Sequence, residues 1–343
     1  MGEMKPRDRV LDQLKGKKID RIPCYSGMGN ITLDGIKQVG NPRFADIHRD
    51  AKLMAKVASS TYKIFGYECA VLPYDLGVEA EALGSEVNFY THRDDIVYPT
   101  VKTKLVKSGD EVKIPENFEE KGRLPLIAEA IELAKEEVGD QVAVGSFVNG
   151  PFTLAGQIMD LNDLLKVAFK KPEAITAITE KLVDVIGMIT KVWEDAGVDF
   201  ITVREEGAPA DVISPRMFKS LVMTNLTKTI DNIKVPKILH ICGDTNPVVD
   251  LMAQCHADAI SVEKKCDLVK SRAKIGPNVL LFGDIDPFGL LCSGKPEEVK
   301  AAVKAAIEKG VNAVMPGCDL WPDFPSANMR AMIEATKEYG RLT

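Results

Sequence analysis

The stretch LPLIAEAIELAKEEVGDQVAVGSFVNGPFTLAG, residues 124–156, contains one complete repeat of the pattern that decides the fold. Apolar residues recur at three- and four-residue intervals over Leu124–Val138, which predicts an amphipathic helix that ends at Gly139. The short apolar run Val142–Phe147 follows and predicts a strand that is buried on both faces. A Gly–Pro turn then begins a further helical segment. Strands that alternate with helices are typical of parallel α/β proteins.

The same alternation is repeated along the rest of the chain. Eight short apolar runs are predicted to be strands: Ile22–Ser26, Cys69–Tyr74, Val142–Phe147, Phe200–Arg204, Lys237–Cys242, Ala259–Glu263, Val279–Phe282 and Ala313–Met315. Further helices are predicted at Pro172–Ala196, Pro215–Ile233, Pro296–Lys309 and Ala327–Tyr339. This order implies parallel pairing through right-handed crossovers. Eight strands favour a closed (β/α)₈ barrel over an open doubly wound sheet.

Residues 85–119 do not fit the repeat. Their residues alternate like those of small antiparallel strands and show no helical spacing. We therefore predict an antiparallel excursion over one mouth of the barrel, between the second strand and its crossover helix. No Gly/Ser-rich or Pro-rich linker divides the chain, so a single domain over residues 1–343 is expected.

Composition excludes several classes of function. The chain has 343 residues, 45% of them hydrophobic, and a net charge of −6, which gives no general reason to bind nucleic acid or an anionic membrane. No apolar run reaches the about 18 residues that a membrane span needs. The charged opening MGEMKPRDRVLDQLKGKK lacks the apolar core of a signal peptide, so a cytoplasmic location is expected.

The seven cysteines do not form a disulfide framework, because their number is odd and their spacing irregular. One of them lies in KILHICGDT, residues 237–245, where His240 and Cys242 are two residues apart at the end of the fifth strand. Residues at this spacing point to the same side of a strand. An imidazole and a thiolate are two of the ligands that Zn²⁺ prefers.

A catalytic zinc needs a third protein ligand. Cys318 is the natural candidate, because it follows the last strand after a Pro–Gly turn, and the ends of strands five and eight both reach the axial pocket of a barrel. Glu263, at the end of the sixth strand, is a candidate for a fourth ligand or for an acid–base residue. The alternative is a packed core pair, which is the commoner role of a His–x–Cys pair.

Polar residues mark the ends of other strands. They are Asp75, Asn149, Glu205, Glu206, Asp284 and Asp286. Of these, Asp75 is predicted to be catalytic, like Glu263, and Asn149, Glu205 and Asp286 are predicted to bind substrate. Solvated loop carboxylates are also common at such positions. The remaining residues of the metal-ligand types are expected to pack in the core or lie at the surface, with the histidines exposed: Cys24, Cys69, Cys255, Cys266, Cys292, His48, His92 and His256.

The motifs resemble one known family across almost the whole chain. They are RVLDQLKGKKIDRIP at Arg9–Pro23, VEAEALG at Val78–Gly84, GPFTLAG at Gly150–Gly156, HICG at His240–Gly243, FGDIDP at Phe282–Pro287 and PGC at Pro316–Cys318. This set resembles the uroporphyrinogen decarboxylase superfamily, and within it the zinc-dependent corrinoid methyltransferases. The resemblance implies a (β/α)₈ barrel and a zinc ion held by His240, Cys242 and Cys318.

The decarboxylase branch is the main relative to distinguish. It carries arginines after the first strand, where Cys24–Gly35 reads CYSGMGNITLDG and has none. Asp75 points the other way, because it stands where a decarboxylase has a catalytic aspartate. The zinc motif and the missing arginines favour the methyltransferase branch.

That branch implies methyl transfer from a methyl-Co(III) corrinoid to a small thiol such as coenzyme M. The corrinoid is normally carried by a separate small protein, and this chain has no D–x–H–x–x–G corrinoid motif. Two alternatives stay open. One is transfer of methyl from a methoxylated aromatic or other methyl compound to Co(I). The other is a decarboxylase, or a tetrapyrrole-binding protein without catalysis.

Overall fold

The computed structural model describes residues 2–107 and 112–342. Its strands are β1 (Cys69–Val71), β2 (Val87–Asn88), β3 (Thr100–Val101), β4 (Ala143–Asn149), β5 (Phe200–Arg204), β6 (Lys237–Ile241), β7 (Ala259–Val262), β8 (Leu280–Ile285) and β9 (Ala313–Pro316). Seven of them form one parallel sheet in the order β1-β4-β5-β6-β7-β8-β9. Each strand therefore pairs with the next one along the chain, as in a (β/α)₈ barrel.

The eighth position of the barrel is filled by Ile22–Ser26, which was predicted to be a strand. Cys24 forms an isolated parallel bridge with Val314 of β9, and the Glu68 N–H donates to the Cys24 carbonyl at 3.1 Å on the other side. The segment thus lies between β9 and β1 and closes the ring. Pro23 has no N–H to donate, which limits the segment to a bridge instead of a regular strand.

Helices cover the outside of the sheet. They are α1 (Pro6–Leu14), α2 (Leu33–Gln38), α3 (Phe44–Ile47), α4 (Ala51–Phe65), α5 (Val78–Ala82), α6 (Leu124–Val138), α7 (Pro151–Ile158), α8 (Leu161–Lys170), α9 (Pro172–Asp195), α10 (Pro215–Met217), α11 (Met223–Asn232), α12 (Val249–Met252), α13 (Leu268–Ile275), α14 (Pro296–Glu308) and α15 (Ser326–Tyr339). No helix in residues 2–107 and 112–342 is long and apolar enough to cross a membrane.

Several predicted bounds differ from those in the structure, and two of the differences change how an element is described. The helix predicted at Pro215–Ile233 is divided into α10 and α11 by a π-helical turn over Phe218–Val222. Strand β8 continues to Ile285, so that Asp284 lies inside the strand instead of at its end. Paired hydrogen bonding with β9 extends as far as Ile285, and this pairing carries the strand beyond its apolar run.

The antiparallel excursion predicted at residues 85–119 is present. Strands β2 and β3 pair antiparallel, with Val87 opposite Val101, and they lie between β1 and α6 in the chain. Residues 108–111 of the predicted segment lie outside the described residues.

Aromatic side chains fill the barrel. The Tyr25 ring meets Phe200 and Phe282 edge-on, with centroids 6.0 and 5.6 Å away. Gly145 of β4 makes room for this layer, because a Cβ there would lie 2.3 Å from Cζ of Phe200. All seven residues of β4 are buried. The candidate metal ligands lie at the carboxyl ends of the strands, as active-site residues do in barrel enzymes.

Candidate metal centre

The histidine and two cysteines singled out by the sequence lie together at the carboxyl ends of β6 and β9. The Nε2 atom of His240 is 3.1 Å from Sγ of Cys242, and that sulfur is 2.7 Å from Sγ of Cys318. Gly243 turns the chain directly after the pair with a φ of 82°, in the left-handed region that glycine accepts without strain. All seven cysteines of the chain are free thiols.

Glu206 completes the group. One ligand atom from each of Glu206, His240, Cys242 and Cys318 lies within 4.8 Å of every other. The Glu206 Oε1 atom is 3.9 Å from Nε2 of His240. Glu263, the candidate for a fourth ligand in the sequence, is not in this group: its Oε2 accepts the Gly243 N–H at 2.7 Å and so holds the turn after β6.

The other nitrogen of His240 has a partner of its own. Nδ1 lies 3.0 Å from Oγ of Ser261 on β7, and this hydroxyl in turn lies 3.2 Å from Sδ of Met315. The ring is buried, so these contacts fix its orientation. Nε2 is therefore the nitrogen that faces the two sulfurs. Metal-binding histidines are commonly oriented by such a second hydrogen bond.

Arg204 connects the group to the barrel mouth. Its Nε donates to Oε1 of Glu206 at 2.8 Å, and its two terminal nitrogens donate to both oxygens of Asp319 at 2.9 and 2.6 Å. The guanidinium is buried and lies over the Phe147 ring at 4.8 Å. It therefore fixes two carboxylates at once.

Ionisation in this group is shared between neighbours. The hydrogen bond between the two thiols lowers the pKa of Cys318 and raises the pKa of Cys242, because one proton serves both sulfurs. Burial lowers the pKa of His240, but Cys318 and Glu206 beside it raise that pKa more. Burial raises the pKa of Glu206, which Arg204 and His240 outweigh, so the net pKa shift is downward.

The donor set fits zinc better than a hard cation. It offers two sulfurs, one imidazole nitrogen and one carboxylate oxygen around a common point. These are the ligand types of protein zinc sites, whereas calcium and magnesium take oxygen ligands. Four protein ligands would close a zinc site, so a substrate atom would reach the metal only by displacing one of them, such as the Glu206 carboxylate.

Asp75 is buried in an ion pair. Its carboxylate accepts two hydrogen bonds from Arg123, at 2.8 and 2.9 Å, and lies 3.0 Å from Nδ1 of His48. Burial raises the pKa of Asp75, but Arg123 and His48 lower it far more. The prediction that His48 is exposed is wrong, because the ring is fully buried between this carboxylate and aromatic neighbours.

Asn149 and Glu205, predicted to bind substrate, are held by protein groups at the end of β4 and after β5. The Asn149 amide donates to Glu79 and to the Leu76 carbonyl, both at 2.9 Å. Glu205 accepts N–H groups of Phe152 and Thr153 at the start of α7, at 3.1 and 2.6 Å. Burial raises the pKa of Glu205 to about 7.

Asp286 is not a member of the metal-ligand group, and its contacts are with other residues. It forms an ion pair with Lys264 and accepts the N–H groups of Phe288 and Gly289 in the π-helical turn Pro287–Cys292. Asp286 and Glu205 thus have protein partners, whereas the Oδ1 atom of Asn149 is buried without a hydrogen-bond partner. The predicted role of these three residues in substrate binding stays a prediction.

A cavity of about 300 Å³ opens beside Asp319. Its wall includes Tyr74 and Asp75 after β1, Tyr98 from the excursion, and Trp321 beyond β9. The Tyr98 and Trp321 rings are stacked, with centroids 6.4 Å apart and planes 16° apart. Asp319 links the cavity wall to the metal-ligand group, because Arg204 binds both Asp319 and Glu206.

Arg204 and Glu206 are the residues of the site to which the sequence pattern assigned no ligand role. A signal for them existed: Arg204 pairs in register with His240, so both side chains leave the same face of the sheet. Glu206 is two residues after Arg204 in the chain, and its side chain lies on the same side as that of Arg204. The side chain of Glu205, between them, contacts the start of α7. Strand alternation distinguishes the adjacent glutamates.

The fold is that of a (β/α)₈ barrel with its polar cluster where barrel enzymes have their active sites. The chain belongs to the uroporphyrinogen decarboxylase family, since the family model described as Uroporphyrinogen decarboxylase (URO-D) matches residues 5–339.

Individual relatives indicate the branch of the family to which the chain is similar. The chain is 31% identical over 342 residues to methylcobamide:CoM methyltransferase MtaA of Methanosarcina barkeri, with 99% of each chain covered. It is 27% identical over 343 residues to MtbA of Methanosarcina acetivorans, again with 99% of each covered. A solved methyltransferase from Methanosarcina mazei superposes with a TM-score of 0.92 at 29% identity, covering 98% of this chain and 99% of that one. The predicted placement in the methyltransferase branch, as an enzyme, is confirmed by these matches.

Proposed function

We propose that the protein transfers a methyl group from a methyl-Co(III) corrinoid to a small thiol of the coenzyme M type, with a zinc ion held by His240, Cys242 and Cys318. The observation that carries the proposal is the convergence of these three donors with Glu206 at the barrel mouth. The relatives named methylcobamide:CoM methyltransferase support the reaction class.

The zinc ion would supply Lewis acidity, which lowers the pKa of a bound thiol so that it is a thiolate at neutral pH. The chain's own groups prepare this position. Ser261 holds His240 with Nε2 toward the sulfurs, and Arg204 holds Glu206 on the adjacent side. The two cysteine thiolates leave the bound sulfur electron-rich, so that it keeps its nucleophilicity.

The methyl transfer forms one bond and breaks one bond. The thiolate sulfur attacks the methyl carbon in line, the S–C bond forms and the Co–C bond breaks. The electron pair of the Co–C bond stays on cobalt, which changes from Co(III) to Co(I). The thiol proton has already left for solvent.

The cobalt is expected to arrive on a small corrinoid-carrier protein that docks over the barrel mouth, because the sequence carries no corrinoid motif of its own. A cytoplasmic location fits the seven free cysteines. The chain would act as one barrel domain. In this proposal Glu263 holds the turn after β6 and Asp75 holds Arg123, and neither reacts with substrate.

The donor-side reaction is the second candidate. The stacked Tyr98 and Trp321 rings beside the metal-ligand group are suited to hold an aromatic methoxy compound. In that reaction the O–CH₃ bond breaks, Co(I) takes the methyl group to become methyl-Co(III), and the phenolate leaves. A zinc ion held by His240, Cys242 and Cys318 would supply Lewis acidity for the departing oxygen.

Methylcobalamin and the purified zinc-loaded protein test the two directions. We expect the methylcobalamin absorption bands to decay when 2-mercaptoethanesulfonate or another small thiol is added, and not without a thiol. Absence of decay with every thiol would contradict the proposal. Methylation of Co(I) by a methoxylated aromatic would favour the donor-side reaction instead.

A further inference from the structure

The cavity wall and the metal-ligand group share one buried cation, Arg204. Its two terminal nitrogens donate to both oxygens of Asp319, which is part of the cavity wall. Its Nε donates to Glu206, which is part of the metal-ligand group. The Arg204 side chain is 2% exposed. A guanidinium that is removed from water and offers two parallel N–H donors is a strong binder of oxyanions.

The carboxylates around the cavity differ in how easily they can leave their partners. The Asp319 side chain is 39% exposed, whereas that of Glu206 is 17% exposed. The other carboxylate of the wall, Asp75, is 1% exposed and is held by both terminal nitrogens of Arg123. A partly solvated carboxylate turns toward water at a lower cost than a buried one. Asp319 is therefore the carboxylate at the cavity that can be exchanged for another anion.

A second cation lies at the edge of the cavity. The Nζ atom of Lys104 donates to the carbonyls of Gly156 and Gln157 at 3.1 and 2.7 Å, and Gln157 is part of the cavity wall. Both acceptors are neutral, so they leave the charge of the ammonium group in place. This charge attracts an anion into the cavity.

The contacts of Arg204 suit a short substrate. The guanidinium is bonded to Glu206, and Oε1 of Glu206 is 3.9 Å from Nε2 of His240 in the metal-ligand group. An anion that replaces Asp319 on the terminal nitrogens thus lies close to the metal ligands. The exchange also preserves the charge balance at Arg204, because one anion takes the place of another.

We propose that Asp319 occupies on Arg204 the position that the acidic end of the thiol substrate takes, and that Asp319 turns toward solvent when this end binds. The inference rests on the proposed function and names its substrate class: a short thiol that ends in a sulfonate or another oxyanion. Arg204 and Asp319 then determine specificity, in addition to the metal ligands.

Binding of ethanesulfonate, which has the acidic end but no thiol, tests the exchange without methyl transfer. Trp321 is part of the cavity wall, so its fluorescence reports binding in a Trp193→Phe background. Asp319→Asn removes the competing charge and leaves an amide of similar size. We expect it to lower the Kd of ethanesulfonate at least about tenfold, since the ligand no longer competes with a bidentate ion pair.

Asp323→Asn is the matched control. Asp323 is an exposed carboxylate in the same loop between β9 and α15, and the described ion pairs of Arg204 are with Glu206 and Asp319 instead. The substitution removes one charge from this loop without freeing the guanidinium. It should change the Kd of ethanesulfonate by no more than about twofold.

Two thiols of equal chain length extend the test to the reaction. They are 2-mercaptoethanesulfonate and 2-mercaptoethanol, each used to demethylate methylcobalamin with the zinc-loaded protein. With Asp319 intact, we expect the KM of the sulfonate to be about tenfold lower than that of the alcohol. Asp319→Asn should widen this ratio and Asp323→Asn should not. The ratio within each protein cancels any effect of a substitution on the neighbouring Cys318.

The outcomes are distinguishable. A lower Kd of ethanesulfonate and a wider KM ratio in Asp319→Asn alone support the inference. Absence of ethanesulfonate binding, equal effects of the two substitutions, or equal KM values for the two thiols with Asp319 intact overturn it while the proposed function stands. If Asp319→Asn does not fold, the KM comparison with Asp319 intact decides. Absence of demethylation with both thiols overturns the proposed function, and the inference with it.

Discussion

At the residue scale, the metal-ligand group shows which contacts residue spacing in the sequence can predict. His240 and Cys242 were predicted together because residues two apart on a strand share a side, and the structure places their side-chain atoms 3.1 Å apart. Cys318 comes from a distant strand, and only the barrel topology made it a candidate. Their role as zinc ligands stays a prediction.

The fourth member shows where the sequence was insufficient. Glu206 and Glu263 both follow strands, and the choice between them depends on how the chain turns after each strand. The Glu263 carboxylate accepts a hydrogen bond from the Gly243 N–H, and it is Glu206 that lies beside His240 and the two cysteines. The extent of a turn is a tertiary property that residue types alone do not specify.

Loss of either cysteine of the group should remove the metal. We expect Cys242→Ala and Cys318→Ala to lower the zinc retained after dialysis by at least about tenfold, since each removes a direct ligand. Cys292→Ala is the control, because that half-buried thiol lies outside the group. Elemental analysis gives the zinc content per chain, and undiminished zinc in both variants would refute the assignment.

Asp75 is expected to be a structural residue. Asp75→Asn leaves the buried Arg123 without its bidentate partner and should lower the free energy of unfolding by about 3–5 kcal/mol. Asp46→Asn breaks an exposed pair with Arg43 and should cost about 0–1 kcal/mol. Urea unfolding measures both.

The sign of the pH dependence at Asp75 follows from its lowered pKa. Its stabilisation is present above the unfolded-state pKa of about 4 and is lost as the pH falls further. The difference between wild type and Asp75→Asn should therefore shrink in acid below about pH 4. A difference that is small at pH 7 would show that the pair contributes little.

At the element scale, the apolar periodicity was a reliable guide where an element buries one continuous face. The helix predicted at Leu124–Val138 has those bounds in the structure. The segment Ile22–Ser26 reads as a strand but forms only a bridge, because its hydrogen bonding is limited by Pro23 and decided by two distant neighbours. The local apolar pattern predicts where such a segment lies in the barrel, but not whether it forms a regular strand or a single bridge.

The start of α7 depends on one carboxyl group from the neighbouring strand end. Glu205 accepts from Phe152 and Thr153, including the Thr153 hydroxyl at 2.5 Å, and so occupies the helix N-terminus. This contact gives Glu205 partners within the protein, and its predicted role in substrate binding stays a prediction.

Burial raises the pKa of Glu205 to about 7, which predicts a pH-dependent stability. Between about pH 4.3 and 7 the folded chain keeps a proton that the unfolded chain has lost, so this carboxyl makes stability fall as the pH rises through that window. Glu205→Gln is neutral throughout and should flatten the fall. Urea unfolding at several pH values compares the two slopes; identical slopes would show that Glu205 ionises normally in the folded chain.

At the scale of the whole molecule, seven parallel strands and one bridging segment form the predicted barrel, and the solved methyltransferase from Methanosarcina mazei has a similar fold. The excursion carries Tyr98 over the mouth to meet Trp321 from the far end of the chain. A cavity built this way depends on contacts between segments distant in sequence, which explains why its aromatic wall was not predicted in detail.

We predict that the chain unfolds as one domain. Trp193 is buried on α9, and Trp321 lies beyond β9 at the barrel mouth, so their fluorescence reports on separate regions. With Trp193→Phe and Trp321→Phe variants, each remaining tryptophan should give the same denaturant midpoint as circular dichroism. Two separate midpoints within one variant would indicate independent units.

The central claim is that a thiol substrate reaches a zinc ion held by His240, Cys242 and Cys318. X-ray absorption at the zinc edge, on the zinc-loaded protein before and after addition of a small thiol, tests it most directly. We predict two sulfur ligands with nitrogen and oxygen ligands before addition, and a third sulfur ligand after it. A zinc environment that does not change on addition of thiol, or that contains no sulfur, would contradict the account.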